Sequence, residues 1–232
     1  DSVYNLAKQI GNALHHYGIN LNLAPVLDPP KDSKGKPSFI EVSNRSFGEF
    51  ETAVPKIRSF VKGMKESKVL STSKHFPGYD SWTNSDHQIA FSTSSKEIIL
   101  RNVELFKEFA DEIPVVMLSS VRFVRLSNTP AVFNPKITAM AREISPYTVL
   151  LTDDLWGVSL RAWISGTDKV KGKNYPSKDF KKLIRTVLWA RNDMFMITYP
   201  AKAVEMIAYL EWLGKKYPEY RFLLCAPTVL EN

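Results

Sequence analysis

Lys74-His75-Phe76-Pro77-Gly78, with His87 nine residues further on, follows directly on Val69 to Ser73, a run that opens on two apolar residues and reads as a short buried strand. The Pro/Gly pair ends such a strand, because proline lacks a ladder N–H and glycine accepts the turn. The Lys-His pair therefore brings two hydrogen-bond donors to the rim of a sheet, where α/β proteins bind their ligands.

The neighbouring sequence alternates between helical and strand patterns. Val3, Leu6, Ile10, Leu14 and Tyr17 recur at helical spacing over residues 2–17, with Asp1 or Ser2 as N-cap and Gly18 as the stop. Ile19 to Ala24 alternates as a strand, and a polar loop with Pro29, Pro30 and Pro37 follows. A helix is expected over 51–66, and Ser94 with Glu97 forms a capping box for another that runs to about Ala110. Pro114 to Leu118 reads as a strand, 135–144 as a helix and Tyr147 to Thr152 as a buried strand. The pattern continues with a helix over Asp179 to Ala190, a strand over Asp193 to Thr198 and an amphipathic helix over Ala201 to Leu213. Ala131 to Phe133 is the candidate sixth strand. Apolar strands alternating with helices predict a parallel α/β sheet. Polar residues gather just after the strands, as at the active-site face of a (β/α)8 barrel.

Composition narrows the function classes. The chain has 232 residues, 44% of them hydrophobic and 24% charged, which is ordinary globular usage and argues against disorder. Its longest apolar stretches fall far short of the ~20 residues that span a bilayer. No signal-peptide pattern opens it, and a cytoplasmic chain reads the same as an exported one whose leader is gone. The single cysteine, Cys225, excludes an internal disulfide and a Cys-based metal cluster, and reads as a small buried hydrophobe. The net charge of +7 comes from scattered lysines, densest at Lys169, Lys171, Lys173, Lys178, Lys181 and Lys182. A solvated loop and helix face accounts for that run, with a rim that attracts anions as the alternative. No nucleic-acid-binding signature, phosphate-cradling glycine loop or metal-ligand spacing is present, and His15 and His16 sit on the first helix.

Two further segments flank the opening stretch: Asn44-Arg45-Ser46-Phe47-Gly48 upstream and Thr152-Asp153-Asp154-Leu155 downstream. In this order the three resemble the catalytic barrel of family 3 glycoside hydrolases, nearest their β-N-acetylhexosaminidase branch, over about Asn5 to Tyr199. The resemblance implies a single (β/α)8 barrel domain across 1–232, in which Ile19–Ala24 is the third strand and the first two βα units are missing. Those units would also carry a substrate-binding Asp in an Asp-Gln/Glu-Gly-Gly segment, which this chain lacks. It implies a retaining hydrolase that removes terminal β-linked N-acetylglucosamine, from peptidoglycan fragments, with no cofactor. Carbohydrate is then the partner, with neither nucleic acid nor a membrane span involved and the oligomeric state left open. A catalytically impaired glycan-binding protein on the same scaffold is the alternative.

By that resemblance Asp153 is the nucleophile that forms a covalent glycosyl-enzyme. Read alone, Thr152-Asp153-Asp154 serves equally as a helix cap. His87 is the implied acid/base, on a mobile loop, oriented by an aspartate. The family writes Asp-Ser-His where this chain has Ser85-Asp86-His87, so Asp86 is the adjacent residue rather than the one two before. Adjacent side chains on extended backbone point to opposite sides, so Asp86 is not expected to hold the imidazole unless the loop turns. Loss of proton delivery costs about 10²- to 10⁴-fold. Tyr79 and Asp80 replace the family's His-Gly, and Ser120 replaces a histidine after Met117. Arg45, Lys74 and His75 form the implied sugar-binding set, able to donate to several hydroxyls or an acyl carbonyl. For Arg45 a structural salt bridge is the competing reading, and for His75 a loop-supporting histidine. Asp28, after Val26-Leu27, matches a supporting strand-end acid. Trp82, Trp156 and Trp163 are sugar platforms or packing residues alike.

Overall fold

The computed structural model describes residues 2–167 and 175–218. In chain order it has α1 (Ser2–His16), β1 (Leu21–Asn22), α2 (Phe39–Val42), α3 (Phe50–Glu66), β2 (Leu70–Phe76), β3 (Phe91–Ser92) and α4 (Lys96–Glu108). Then follow β4 (Val115–Leu118), β5 (Arg122–Phe123), α5 (Pro135–Arg142), β6 (Val149–Thr152), α6 (Val158–Ser165), α7 (Ser177–Trp189) and α8 (Pro200–Lys216). Lys169, Lys171, Lys173 and Cys225 lie outside the described residues. Among those described, no helix is long and apolar enough to cross a membrane.

The main sheet has the order β1-β2-β4-β6, with every pair parallel. Parallel neighbours require crossovers, which α3, α4 and α5 supply. Both faces of β4 and β6 are covered, and this explains their nearly uninterrupted apolar runs. Val116, Leu118 and Leu150 belong to the large core beneath the helices, which also holds Phe76, Phe106, Phe109 and Phe180. Val115, Met117 and Leu151 alternate with them and form a smaller cluster on the other face, together with Leu21, Leu23 and Met196.

Three expectations change. Asp193 to Thr198 is not a strand: it touches β6 through a single parallel bridge, Leu151 to Met194. Its ladder stops because Met196 N–H donates to the Thr152 hydroxyl instead of to a backbone carbonyl, while Asp193 Oδ2 accepts from Leu150 N–H. Ala131 to Phe133 is a turn of 3₁₀ helix, squeezed between Pro130 and the Asn134 cap of α5. The N-cap of α4 is Ser95, whose hydroxyl accepts from Ile98 N–H. Ser94 is withdrawn from capping because its hydroxyl donates to Asp80. Two short pieces unread in the sequence, β3 and β5, pair as a separate parallel ribbon.

α1 lies directly against α3, and glycine sets the distance between them. A Cβ on Gly63 would stand 2.8 Å from Lys8 N and 2.9 Å from Tyr4 O, both backbone atoms that cannot swing away. Gly63→Ala should therefore push α1 off α3 and cost about 1–3 kcal/mol, the range for overpacking. Urea denaturation of the purified chain measures this as a lower midpoint at unchanged slope.

Candidate active site

Parallel strands deliver their C-terminal ends to one rim, and this rim collects the chemistry. Lys74 and His75 lie near the end of β2, Asp153 follows β6, Ser120 comes two residues after β4, and Asp28 follows the Val26–Lys74 bridge. The register of β2 on β4 shifts between Lys74 and Phe76, and the Lys74–His75 and Phe76–Pro77 peptides are both cis. A cavity of about 170 Å³ opens there, with Arg45, Lys74, His75, Tyr79, Asp86 and Asp153 in its wall. That is below the roughly 300–1,000 Å³ of drug-sized sites and suits one small polar unit.

Asp28 is the organiser of one side. Its side chain is fully buried, and its Oδ1 accepts from His75 N–H at 2.8 Å and from Tyr79 N–H at 2.6 Å. Its Oδ2 accepts from His75 Nδ1–H at 2.6 Å. This bond fixes the imidazole and leaves Nε2 as its remaining polar atom. The Tyr79 hydroxyl donates to Thr83 O and accepts from Ser85 N–H, and burial pushes it up to about 12.

Lys74 makes no ion pair among the described residues, and neither does Arg45. Burial lowers the Lys74 ammonium from its ordinary value, the Arg45 charge lowers it further, and Asp153 and Asp28 oppose both. The salt-bridge reading of Arg45 thus finds no partner among the described residues, and two unpaired cations share the cavity wall with one strand-end carboxylate.

The adjacent acids divide their work. Asp154 holds the loop: its Oδ1 accepts from Trp156 N–H and Thr198 N–H, and its Oδ2 from the Thr198 hydroxyl at 2.6 Å. Asp153 faces the cavity, with Oδ1 accepting from Asp154 N–H at 2.8 Å and Oδ2 from the Ser120 hydroxyl at 2.6 Å. The helix-cap reading of Asp153 does not hold, since the N-cap of α6 is Gly157 and no side chain caps that helix.

Asp86 lines the cavity, whereas His87 does not. Both lie in an exposed turn held by Asn84, whose Oδ1 accepts from Asp86 N–H and whose carbonyl accepts from His87 N–H. No hydrogen bond or ion pair joins Asp86 to His87 among the described residues. The three tryptophans also stand outside this cavity. Trp156 stacks on Tyr199 with Arg161 against its ring, Trp163 packs on Phe133, and Trp82 is 66% exposed. Ser120 escaped the sequence reading as a partner for Asp153, although its place just after β4 puts it on the same rim. No group of three metal-ligating side chains occurs among the described residues.

Asp80, where the family has glycine, is only 2% exposed. Its Oδ2 takes the Ser94 hydroxyl, its Oδ1 has no partner among the described residues, and burial raises its carboxyl above the ordinary range. A raised carboxyl costs the fold stability once pH climbs above the unfolded-state value of about 3.9 and the charge must form inside. Asp80→Asn should therefore raise the melting temperature at pH 7, with the gain shrinking toward zero as pH falls to about 4. Thermal unfolding of both proteins across that range measures it.

Comparison with known proteins adds three findings. The family profile "Glycosyl hydrolase family 3 N terminal domain" matches residues 1–155. A "Beta-hexosaminidase" of Glaesserella parasuis serovar 5 is 31% identical over 118 residues, which is 49% of this chain and 33% of that protein. A "Beta-hexosaminidase" of Pseudomonas aeruginosa is 28% identical over 144 residues, covering 60% of this chain and 42% of that one. The chain thus spans about a third to two fifths of the length of these relatives. Among solved structures, the β-N-acetylhexosaminidase from Beutenbergia cavernae superposes with a TM-score of 0.76 at 23% identity, over 96% of this chain and 64% of that one. A family 3 β-N-acetylglucosaminidase from Paenibacillus superposes with a TM-score of 0.72 at 25% identity, over 94% and 39% respectively.

Proposed function

The chain belongs to glycoside hydrolase family 3, in its N-acetylhexosaminidase-like branch, and from that premise we propose that it is a retaining glycosidase. Its substrate is a terminal β-linked N-acetylglucosamine, carried on peptidoglycan fragments. Its parallel sheet, in the order β1-β2-β4-β6, belongs to a barrel of the (β/α)8 kind. One observation supports the assignment above others: the strand-end carboxylate of Asp153 shares a cavity wall with Lys74, His75 and Arg45.

Lys74, Arg45 and the Asp28-anchored His75 grip the hydroxyls and acyl carbonyl of the sugar, as a set of fixed donors can. A carboxylate oxygen of Asp153 then attacks the anomeric carbon while the bond to the leaving oxygen breaks. His87 gives that oxygen its proton, which completes the first displacement. In the second step water attacks the same carbon from the vacated side, its proton returns to His87, and Asp153 leaves as a carboxylate. Two inversions restore the β configuration. For this, the turn of Asp86 and His87 has to swing inward over the bound sugar, a gating motion of the kind many enzymes use.

The second reading is a glycan-binding protein whose chemistry is impaired. It is favoured by the exposed His87, outside the cavity and unbonded to Asp86. Fluorophore release from an aryl β-N-acetylglucosaminide, run beside calorimetric titration with N-acetylglucosamine, separates the two. A glycosidase gives turnover above the buffer rate, and a binding protein gives heat of binding alone. A folded chain that does neither contradicts both.

A further inference from the structure

Asp153 has both oxygens tethered, and one tether comes from a residue where the family usually has histidine. Ser120 is 4% exposed, and its hydroxyl donates to Asp153 Oδ2 at 2.6 Å. Ser159, fully buried in the first turn of α6, touches Ser120 in turn, its hydroxyl donating to Ser120 O at 3.3 Å. The same hydroxyl accepts from Ala90 N–H at 3.3 Å, and Ser159 N–H donates to Ser85 O at 3.1 Å. Ser85 and Ala90 bracket the turn that carries Asp86 and His87.

We propose that Ser120 is a positioning residue for Asp153, and that Ser159 fastens Ser120 to both ends of the Asp86–His87 segment. This rests on the glycosidase reading of the site. A carboxylate turns freely about its last bond unless both oxygens are held, and here Asp154 N–H holds one and Ser120 the other. One hydrogen bond on Oδ2 leaves a further lone pair for the anomeric carbon. The serine hydroxyl is also neutral, so the carboxylate keeps its full charge to meet the oxocarbenium-like carbon. A protonated histidine in that place would offset it. Ser159 gives the nucleophile and the proton donor's segment a common anchor without touching substrate.

The test is calorimetric binding to the full chain of two probes, the basic iminosugar 2-acetamido-1,2-dideoxynojirimycin and neutral N-acetylglucosamine. The iminosugar places a cation near the anomeric position, so its affinity reports the carboxylate's placement without needing turnover. Ser120→Ala should weaken the iminosugar by about 10- to 100-fold, the range for one hydrogen bond to a charged group, and the neutral sugar by less than about threefold. Ser159→Ala, acting through longer bonds, should weaken the iminosugar alone by about three- to tenfold. Equal losses for both probes in Ser120→Ala, or no loss, overturn the positioning role. If Ser120→Ala does not fold, Ser159→Ala carries the same comparison. A wild-type chain that binds neither probe overturns the glycosidase reading itself, and this inference with it.

Discussion

Replacing Asp153 by alanine is expected to lower turnover of an aryl β-N-acetylglucosaminide on the order of 10⁴-fold or more, the scale seen when a central catalytic group is removed. KM should change little. Arg45, Lys74 and His75 remain to grip the sugar, while the atom that attacks carbon is gone. Asp154→Ala provides the contrast, because Asp154 accepts from Trp156 and Thr198 instead of lining the cavity. Its effect should fall mainly on stability. A spent nucleophile also leaves room for added azide to attack the same carbon, so azide should restore part of the rate to Asp153→Ala and not to Asp154→Ala. Steady-state kinetics with and without azide measure the difference.

The second large effect is on the fold and comes from Asp28. Alanine there leaves the N–H groups of His75 and Tyr79 buried without their acceptor and strips the imidazole of its anchor. Each orphaned buried donor costs about 1–3 kcal/mol, so Asp28→Ala should lose about 3–5 kcal/mol in all, the range for breaking a buried charged network. Asp28→Asn separates the contributions. Its amide oxygen can still accept from both N–H groups, but its amide nitrogen cannot accept from His75 Nδ1–H. Asn should therefore retain most of the stability and lose sugar affinity, whereas Ala loses both. Urea midpoints and calorimetric titration of N-acetylglucosamine on the two variants measure this.

How far the sequence reaches can be followed residue by residue. β4 and β6 were legible because a strand covered on both faces is apolar along its length, and β2 because Val69-Leu70 opens it and the Pro/Gly pair ends it. Their C-terminal ends fixed where Lys74, His75 and Asp153 would meet. The Met194 to Thr198 segment carries the same apolar pattern as a strand. Only the hydroxyl of Thr152, reaching across from β6, diverts its ladder. Pairs such as β3 with β5 are two residues long and leave no periodicity to find.

Side-chain contacts between distant segments were the least legible. Ser120 lies 33 residues from Asp153, and Ser159 lies 69 from Ala90. Nothing in the local sequence links either pair. The altered Ser85-Asp86-His87 order was visible at once, and its geometric result was not. Asn84 folds this stretch into a turn, which brings Asp86 to the cavity wall while His87 stays out.

The central claim is that Asp153 attacks the anomeric carbon. The direct measurement is mass analysis of the intact chain, and of its peptides, after incubation with 5-fluoro-N-acetylglucosaminyl fluoride, which forms the glycosyl-enzyme and hydrolyses slowly. One added fluorosugar, mapped to the peptide carrying Asp153 and absent from Asp153→Ala, is the expected result. An unmodified chain, or an adduct on another residue, would contradict it.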